Sequence, residues 1–326
     1  MIAAMDLVGN PSSVHAEGRA AKSIVEKARG QIAQAMGALS ADIVFTSGAT
    51  EAAALACAGR GLQAADIEHD AVAAWVDPAL PVARTGAVSV ADPAQTVLQM
   101  ANSETGILQD LPSGLAVSDM TQAFGKVPLA FDWSGVAMAL VSAHKLGGPK
   151  GIGALVMPRG TDLAAQIKGG GQEMGRRSGT ENVVAIAGFG AAAAAAQRDL
   201  DAGRWAQIEE FRNILEITLE DSAKSTIFEG KASRRLPNTT CFSVPGWKGE
   251  TQVMQMDLAG VAVSAGSACS SGKVRASRVL RAMGYDEATA SSAIRVSLGV
   301  ETTKDEVEQF CEIWLRHYEK FCARAA

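Results

Sequence analysis

The stretch Ser142-Ala143-His144-Lys145-Leu146-Gly147-Gly148-Pro149-Lys150-Gly151-Ile152-Gly153 puts an amine, an imidazole and a hydroxyl into one turn. An amine held near apolar surface has its charged form disfavoured, and the neutral amine can condense with an aldehyde as a Schiff base. The glycines beside it let backbone approach a bound group closely. A second reactive group is Cys269, within Ser264-Ala265-Gly266-Ser267-Ala268-Cys269-Ser270-Ser271-Gly272-Lys273-Val274-Arg275. Small polar residues make an accessible loop, and Lys273 and Arg275 favour a thiolate. The other cysteines, at 57, 241, 311 and 322, fall in apolar helix or strand patterns, where a thiol is a small buried hydrophobe.

The elements that must carry these groups are strands ending in polar turns. Apolar runs 136–141 and 154–157 flank the lysine turn as strands. Ile43-Val44-Phe45 reads as a short buried strand, followed by Thr46-Ser47-Gly48-Ala49-Thr50-Glu51 and an alanine-rich helix. That turn suits a phosphate, because free N–H groups and the helix dipole favour an anion; it equally suits a plain helix cap. Val97 to Met100 is a strand leading into Ala101-Asn102-Ser103-Glu104-Thr105-Gly106, and Leu115 to Ser118 leads into Asp119, Met120, Thr121 and Gln122. His69 sits in Glu68-His69-Asp70-Ala71-Val72, inside the segment 60–100 where periodicity is weak.

Helical spacing predicts helices over 14–36 and 183–222. Between them, Gly169 to Asn182 combines glycines with Arg176 and Arg177, a composition suited to an anion-binding loop. Gly188-Phe189-Gly190 is no dinucleotide fingerprint, since no strand leads into it. Further on, the pattern predicts strands at 239–244, 261–263 and 294–298, and helices at 250–258, 277–283 and 304 to about 321. Repeated strand–turn–helix units describe a doubly wound α/β sheet with its site along one edge.

Composition narrows the function. The 326 residues suffice for two domains, and 48% hydrophobic with 20% charged residues is an ordinary globular balance. A net charge of −5 argues against nucleic acid, for want of a basic stripe. No apolar run of bilayer length and no signal peptide stands out, so the expectation is no membrane and a cytoplasmic protein. Five cysteines without a Cys-x-x-Cys pair disfavour a disulfide framework and structural zinc.

Ser-Ala-His-Lys followed by Gly-Pro-Lys-Gly-Ile-Gly-Ala-Leu resembles the cofactor-lysine segment of cysteine desulfurases, fold type I pyridoxal 5'-phosphate (PLP) enzymes of the class V aminotransferases. The resemblance runs in order from Gly9 to about Phe310. It implies an α/β fold, with a large PLP-binding domain at 12–200 built on a mainly parallel sheet flanked by helices. A smaller α+β domain would comprise 1–11 and 201–326. Lys145 would carry the cofactor and His69 would stack on its ring. Ala49, Thr50, Ser142 and His144 would line the cofactor, with Asp119 at the ring nitrogen and Gln122 at the hydroxyl. Thr180 would reach the cofactor phosphate of the other subunit of a homodimer. Arg295, in Ile-Arg-Val-Ser-Leu-Gly, would hold the carboxylate of L-cysteine with help from Asn10. Gly-Ser-Ala-Cys before Val-Leu-Arg-Ala-Met-Gly resembles the long nucleophile loop of the group I enzymes, so Cys269 would take the sulfur as a persulfide, release alanine and feed an acceptor protein such as an iron–sulfur scaffold.

Four departures from the family accompany the match. Ser103 stands where the family has a second Asn, leaving Asn102 and Ser103 as alternatives for the cofactor contact. Ala276 replaces a Pro. The spacing after His69 is shorter than usual. A Leu-Asp-x-x-Ala-Thr-Thr segment that precedes Gly9 in the family has no counterpart in the sequence. A related PLP lyase acting on selenocysteine, or a weakly catalytic regulatory homologue, would share Lys145 and Arg295; only the desulfurase requires Cys269.

Overall fold

The computed structural model describes residues 1–266 and 276–325. The chain separates into two compact units: Met1–Ala79, Val90–Met100 and Gln109–Ala202 form one, and Leu80–Ser89, Ala101–Leu108 and Gly203–Ala326 the other. Residues 1–11 were expected in the smaller domain, yet they group with the larger unit. The reason is local packing. The Met1 side chain lies against Gly188, where a Cβ would come within 2.7 Å of its Cγ, so the short helix Ile2–Met5 rests beside the helix Val183–Asp201.

In the larger unit the sheet order is Ala41–Thr46, Gly153–Pro158, Ala139–Ser142, Ser118–Asp119. Hydrogen bonds extend it: Leu98 N–H donates to Val117 O at 3.1 Å, and Val97 N–H to Gln63 O at 2.8 Å. Gly153–Pro158 is antiparallel to both its neighbours, whereas Ser118–Asp119 is parallel to Ala139–Ser142. Ala41–Thr46 therefore points the same way as Ala139–Ser142, and one strand runs against an otherwise parallel set. Ala139–Ser142 is buried along its whole length, as expected of a strand covered on both faces. The carboxyl ends of the parallel strands lead directly into 47–50, His69, Asp119 to Gln122 and the lysine turn.

The long helix Ala16–Met36 packs on Val183–Asp201 through small residues, since a Cβ on Gly190 would lie 2.6 Å from Ala28 Cα. Val183–Asp201 is also, among the described residues, the one helix long and apolar enough by length and composition to cross a membrane. The expectation of no such run is corrected on that count. Its small apolar residues permit this close helix contact, with Ala185, Ile186, Phe189, Ala193 and Ala196 all buried.

The smaller unit holds an antiparallel sheet ordered Ile227–Phe228, Thr239–Ser243, Ala293–Ser297, Ser264–Ala265. The strand expected at 261–263 begins only at Ser264, where pairing with Ile294 and Arg295 starts; Val261 and Val263 instead pack against the apolar core. Phe242 meets Trp314 edge to face at 5.3 Å, fixing the closing helix Lys304–Ala325 on the sheet.

Glu229 is wholly buried in this unit, accepting from Ser243 Oγ at 2.5 Å while its Oε2 has no partner. Burial outweighs the Ser243 hydrogen bond and pushes the carboxyl from 4.5 up to about 7. A folded value above the unfolded one means that stability is fully present below about pH 4.5 and is lost as pH rises through about 7. Glu229→Gln should remove that dependence. Urea unfolding at pH 5 and pH 8 should find the loss across the interval smaller in the variant than in wild type by up to about 3 kcal/mol.

Candidate active site

Strand Ala139–Ser142 ends in a single 3-10 turn, Ala143–Lys145, which presents His144 and Lys145 at the surface. Lys145 is exposed, so the apolar shelter expected for its amine is not supplied by the chain around it. The turn is held from beneath: buried Lys126 donates from Nζ to Gln122 O at 2.9 Å and to Lys145 O at 3.2 Å. Ser142 Oγ and His144 Nδ1 lie 2.8 Å apart. Burial, then the positive charges of Lys145, Lys150 and His69, press His144 below its ordinary value, so it is neutral at pH 7.

Asp119 ends the neighbouring strand and is nearly enclosed, at 9% exposure. Its Oδ1 accepts from Thr121 N–H at 2.8 Å. Burial pushes its carboxyl up; Thr121, then the charges of His69 and Lys145, pull the other way and do not offset it. Those electrostatic couplings bring Lys145, His69 and Asp119 into one site. Gln122, three residues beyond Asp119, is half-buried. His69 caps the short helix Asp70–Ala73, with Nδ1 accepting from Ala71 N–H at 3.1 Å. That bond places the proton of the neutral ring on Nε2.

The turn Thr46 to Thr50 reaches the same strand ends. A Cβ on Gly153 would sit 2.7 Å from Gly48 Cα, and one on Gly48 would sit 3.8 Å from Ser142 Oγ. Gly48 caps the helix Ala49–Cys57 without a side-chain acceptor, and the first backbone bond back to it comes from Ala52 N–H. The N–H groups of Ala49 and Thr50 thus open the helix without intrahelical partners, and Thr50 is exposed. Glu51, one residue on, accepts from Ser47 N–H at 2.8 Å and from Arg177 Nε at 2.8 Å. Burial alone would raise Glu51, but Arg177 and Ser47 outweigh it and hold the carboxyl low.

The loop 169–182 is therefore no anion trap built from arginines, contrary to the expectation. Arg177 is committed to Glu51, and Arg176 Nη1 donates to Asp42 Oδ2 at 2.8 Å. Buried Glu173 receives both Nη atoms of Arg29 at 2.9 Å and the N–H of Phe45 at 2.9 Å. Thr180, in the same loop, is exposed. Asn10 is exposed in the turn before Ala16–Met36, its Oδ1 accepting from Ser12 N–H at 2.9 Å. Sequence reasoning gave Glu51, Glu173 and Arg29 no role: two of them lie in glycine turns, but their partners sit more than a hundred residues away in the chain.

The smaller unit carries the remaining residues. Arg295, on strand Ala293–Ser297, donates from Nη1 to Ser103 O at 2.5 Å and from Nη2 to Ser264 Oγ at 3.1 Å, while its buried Nε has no partner. Asn102 is buried, and its Oδ1 already accepts from Glu104 N–H and Thr105 N–H at 2.9 Å and from Thr105 Oγ1 at 3.1 Å. Ser103 is half-buried. Cys269 lies outside the described residues. Cys57, Cys241 and Cys311 are buried, as the pattern indicated, and Cys322 is half-buried.

The class-V aminotransferase model matches residues 3–76 and 87–310. The chain belongs to the class-V aminotransferase family. Among curated relatives, it is 35% identical to the cysteine desulfurase IscS of Dictyoglomus turgidum, covering 96% of this chain and 88% of that protein. It is 37% identical to a cysteine desulfurase of a Frankia species, over 94% and 84% of the two chains. A solved NifS-like protein from Rickettsia africae superposes with a TM-score of 0.87 at 31% identity, covering 98% of this chain and 94% of that one.

Class-V aminotransferases of this kind use PLP, and the site fits that group. The buried Asp119 carboxyl, pushed up for want of enough positive charge, suits a protonated ring nitrogen, and the open N–H groups at Ala49 and Thr50 suit a phosphate. Lys145 suits the aldehyde. Asp119→Asn should keep the Thr121 N–H bond to Oδ1 and remove the negative charge. In cofactor-free protein, the stability that wild type loses as pH rises through the raised value of Asp119 should then be retained. Absorbance titration of the same variant should show PLP binding weakened about tenfold or more, as expected for a lost charged partner.

Proposed function

We propose that the protein is a PLP-dependent cysteine desulfurase, converting L-cysteine to L-alanine and taking the sulfur onto Cys269. The reading rests most on the likeness to cysteine desulfurases over nearly the whole chain, with Lys145 and His69 near enough to the buried Asp119 carboxyl to act on its charge. Bound PLP would supply an electron sink for charge developing at the substrate Cα. Asp119 would keep its negative charge against the ring nitrogen, Ala49 and Thr50 would bind the phosphate through N–H groups, and Ser142, His144 and Gln122 would line the pocket. The His69 ring would cover one face, with its proton on Nε2. Asn102, whose side-chain oxygen accepts from its own loop, and Ser103 remain the alternatives for the cofactor hydroxyl.

Arg295 would orient the substrate through its carboxylate. Its Nη atoms are already spaced by Ser103 O and Ser264 Oγ, and its Nε–H is buried and unbonded, so an arriving carboxylate would satisfy a donor otherwise left costly. Asn10 would assist at the same carboxylate. Lys145 Nζ would remove the Cα proton. The Cys269 thiolate would then attack the substrate sulfur: an S–S bond forms, the substrate Cβ–S bond breaks, the electron pair left on Cβ takes a proton, and Lys145 Nζ returns a proton to Cα, giving alanine. No outside oxidant is needed, because the sulfur moves at constant total electron count. A later thiol exchange would pass it to an acceptor protein such as an iron–sulfur scaffold. The exposed Thr180 suits contact with the cofactor phosphate of a second subunit in a homodimer.

Cys269→Ala should abolish alanine and sulfide formation from cysteine while leaving the cofactor absorbance intact; undiminished alanine release would sink the persulfide step. Arg295→Lys keeps the charge but loses the planar fork. Steady-state assays should find KM for cysteine raised about 10- to 100-fold, in line with 1.5–3 kcal/mol for a charged hydrogen bond.

A further inference from the structure

The described stems on either side of residues 267–275 converge on one carboxylate that no step above uses. Ser277 Oγ donates to Glu104 Oε2 in a very short hydrogen bond, and the same Oγ accepts from Leu280 N–H at 3.0 Å. From the other stem, Gly266 comes so close that a Cβ there would lie 3.3 Å from Glu104 Oε2 and 3.0 Å from Ser277 Cβ. Each stem is also pinned to the helix or loop just before Ala293–Ser297 or to its first residue: Gly266 N–H donates to Ala293 O at 3.1 Å, and Ser277 N–H to Ala290 O at 3.0 Å.

Glu104 itself is held rigidly. Its N–H donates to Asn102 Oδ1, and its loop is stitched to 234–236 by Leu108 N–H to Arg234 O and Leu236 N–H to Gly106 O, both at 2.8 Å. Arg235, at the centre of that stitch, forms a buried pair with Glu216 at 2.7 and 3.0 Å. Gly106, at φ 73°, is left-handed and comes so close to Thr239 that a Cβ would meet its Cβ at 2.9 Å, so the turn tolerates no side chain there. The residue before Glu104 is Ser103, whose carbonyl receives Arg295. Two adjacent residues of one braced loop therefore hold the guanidinium and the stems of the segment containing Cys269.

Resting on the desulfurase reading, we propose that Glu104 is a positioning residue for sulfur transfer: its carboxylate, through Ser277, holds together Gly266 and Ser277, the residues that flank 267–275, on the same loop that holds Arg295. Arg295 is held by the Ser103 backbone and by Ser264, so loss of the Glu104 side chain acts on the thiol step and leaves carboxylate binding intact.

The test uses the full-length holoenzyme and three variants, Glu104→Ala, Ser277→Ala and the double variant, with Glu104→Gln as the conservative control. Persulfide on Cys269 is trapped in single turnover by alkylation and mass spectrometry, alongside steady-state kcat and KM for cysteine and the cofactor spectrum. The expected result is a fall of about tenfold or more in persulfide rate and kcat for each single alanine variant, from loss of one charged hydrogen bond. KM stays within about twofold, the spectrum is unchanged, Glu104→Gln recovers most of the rate because its amide oxygen still accepts from Ser277, and the double variant is no worse than either single one. Persulfide formation at the wild-type rate in Glu104→Ala, multiplicative losses in the double variant, or a rise in KM without a fall in kcat overturns the assignment. Wild-type enzyme that forms no Cys269 persulfide at all overturns the desulfurase reading instead, and this assignment with it.

Discussion

The constraint on which the larger unit depends is a carboxylate placed where water cannot reach it. Asp119 closes a strand with 9% exposure, and burial raises its proton affinity more than Thr121, His69 and Lys145 together reduce it. A buried ionised carboxylate without full compensation costs several kcal/mol in real proteins, at least about 1–3 even when partly hydrogen-bonded. The chain tolerates that cost because the strand end is fixed by its neighbours: Met100 N–H donates to Asp119 O at 2.9 Å, and Met120 N–H to Leu140 O at 3.1 Å. The result is a site whose electrostatics are incomplete until a cation arrives, as a protonated ring nitrogen would supply.

Elsewhere in the same unit the charges are closed among themselves. Arg29 with Glu173, Arg176 with Asp42 and Arg177 with Glu51 are each within 2.9 Å. Two of these pairs tie the 169–182 loop to the strand Ala41–Thr46 and its flanking helix, and the third ties it to the helix Ala49–Cys57. Glu51 in particular bridges Ser47 N–H and Arg177, which braces the turn and balances the carboxylate charge beside it. An arginine aimed at the phosphate would have bound any anion. Backbone donors at a helix start, backed by neutralised side chains, leave selectivity to the shape of the whole cofactor.

How much of this was readable from sequence follows the range of each interaction. The lysine turn, the polar end carrying Asp119 and Gln122, and the long helices come from periodicity and turn chemistry within a few residues, and the structure has them with ends displaced by up to four residues. The smaller strands at 63–65 and 227–228 are two or three residues long, too short for alternation to register. Val97 to Met100 hydrogen-bonds into the sheet mainly through single bridges, so its strand pattern is real although its pairing is brief. Arg177 and Glu51 are 126 positions apart, Arg29 and Glu173 are 144 apart, and Ser277 and Glu104 are 173 apart. No local spacing encodes such pairs. The loop 169–182 was misjudged because two arginines beside glycines look like free donors when their carboxylates lie in another part of the chain.

The same physics sorts the thiols. Burial pushes Cys57 and Cys311 up to about 12, and it drives Cys241 higher still, with the negative charges of Glu229 and Glu104 acting in the same sense. At pH 7 a thiol of pKa 12 has about one part in 10⁵ as thiolate, from the difference of five units. A nucleophile weakened to that degree cannot compete for sulfur, whatever its position. Cys241 is the instructive case. It pairs in register with Arg295 across the strands, one residue from the guanidinium that would hold substrate, yet Glu229 and the apolar surroundings keep it protonated. Proximity to substrate is thus no sufficient condition for a working cysteine here. Burial, more than any neighbouring charge, keeps the thiol opposite Arg295 protonated, and the proposed transfer rests on Cys269 instead.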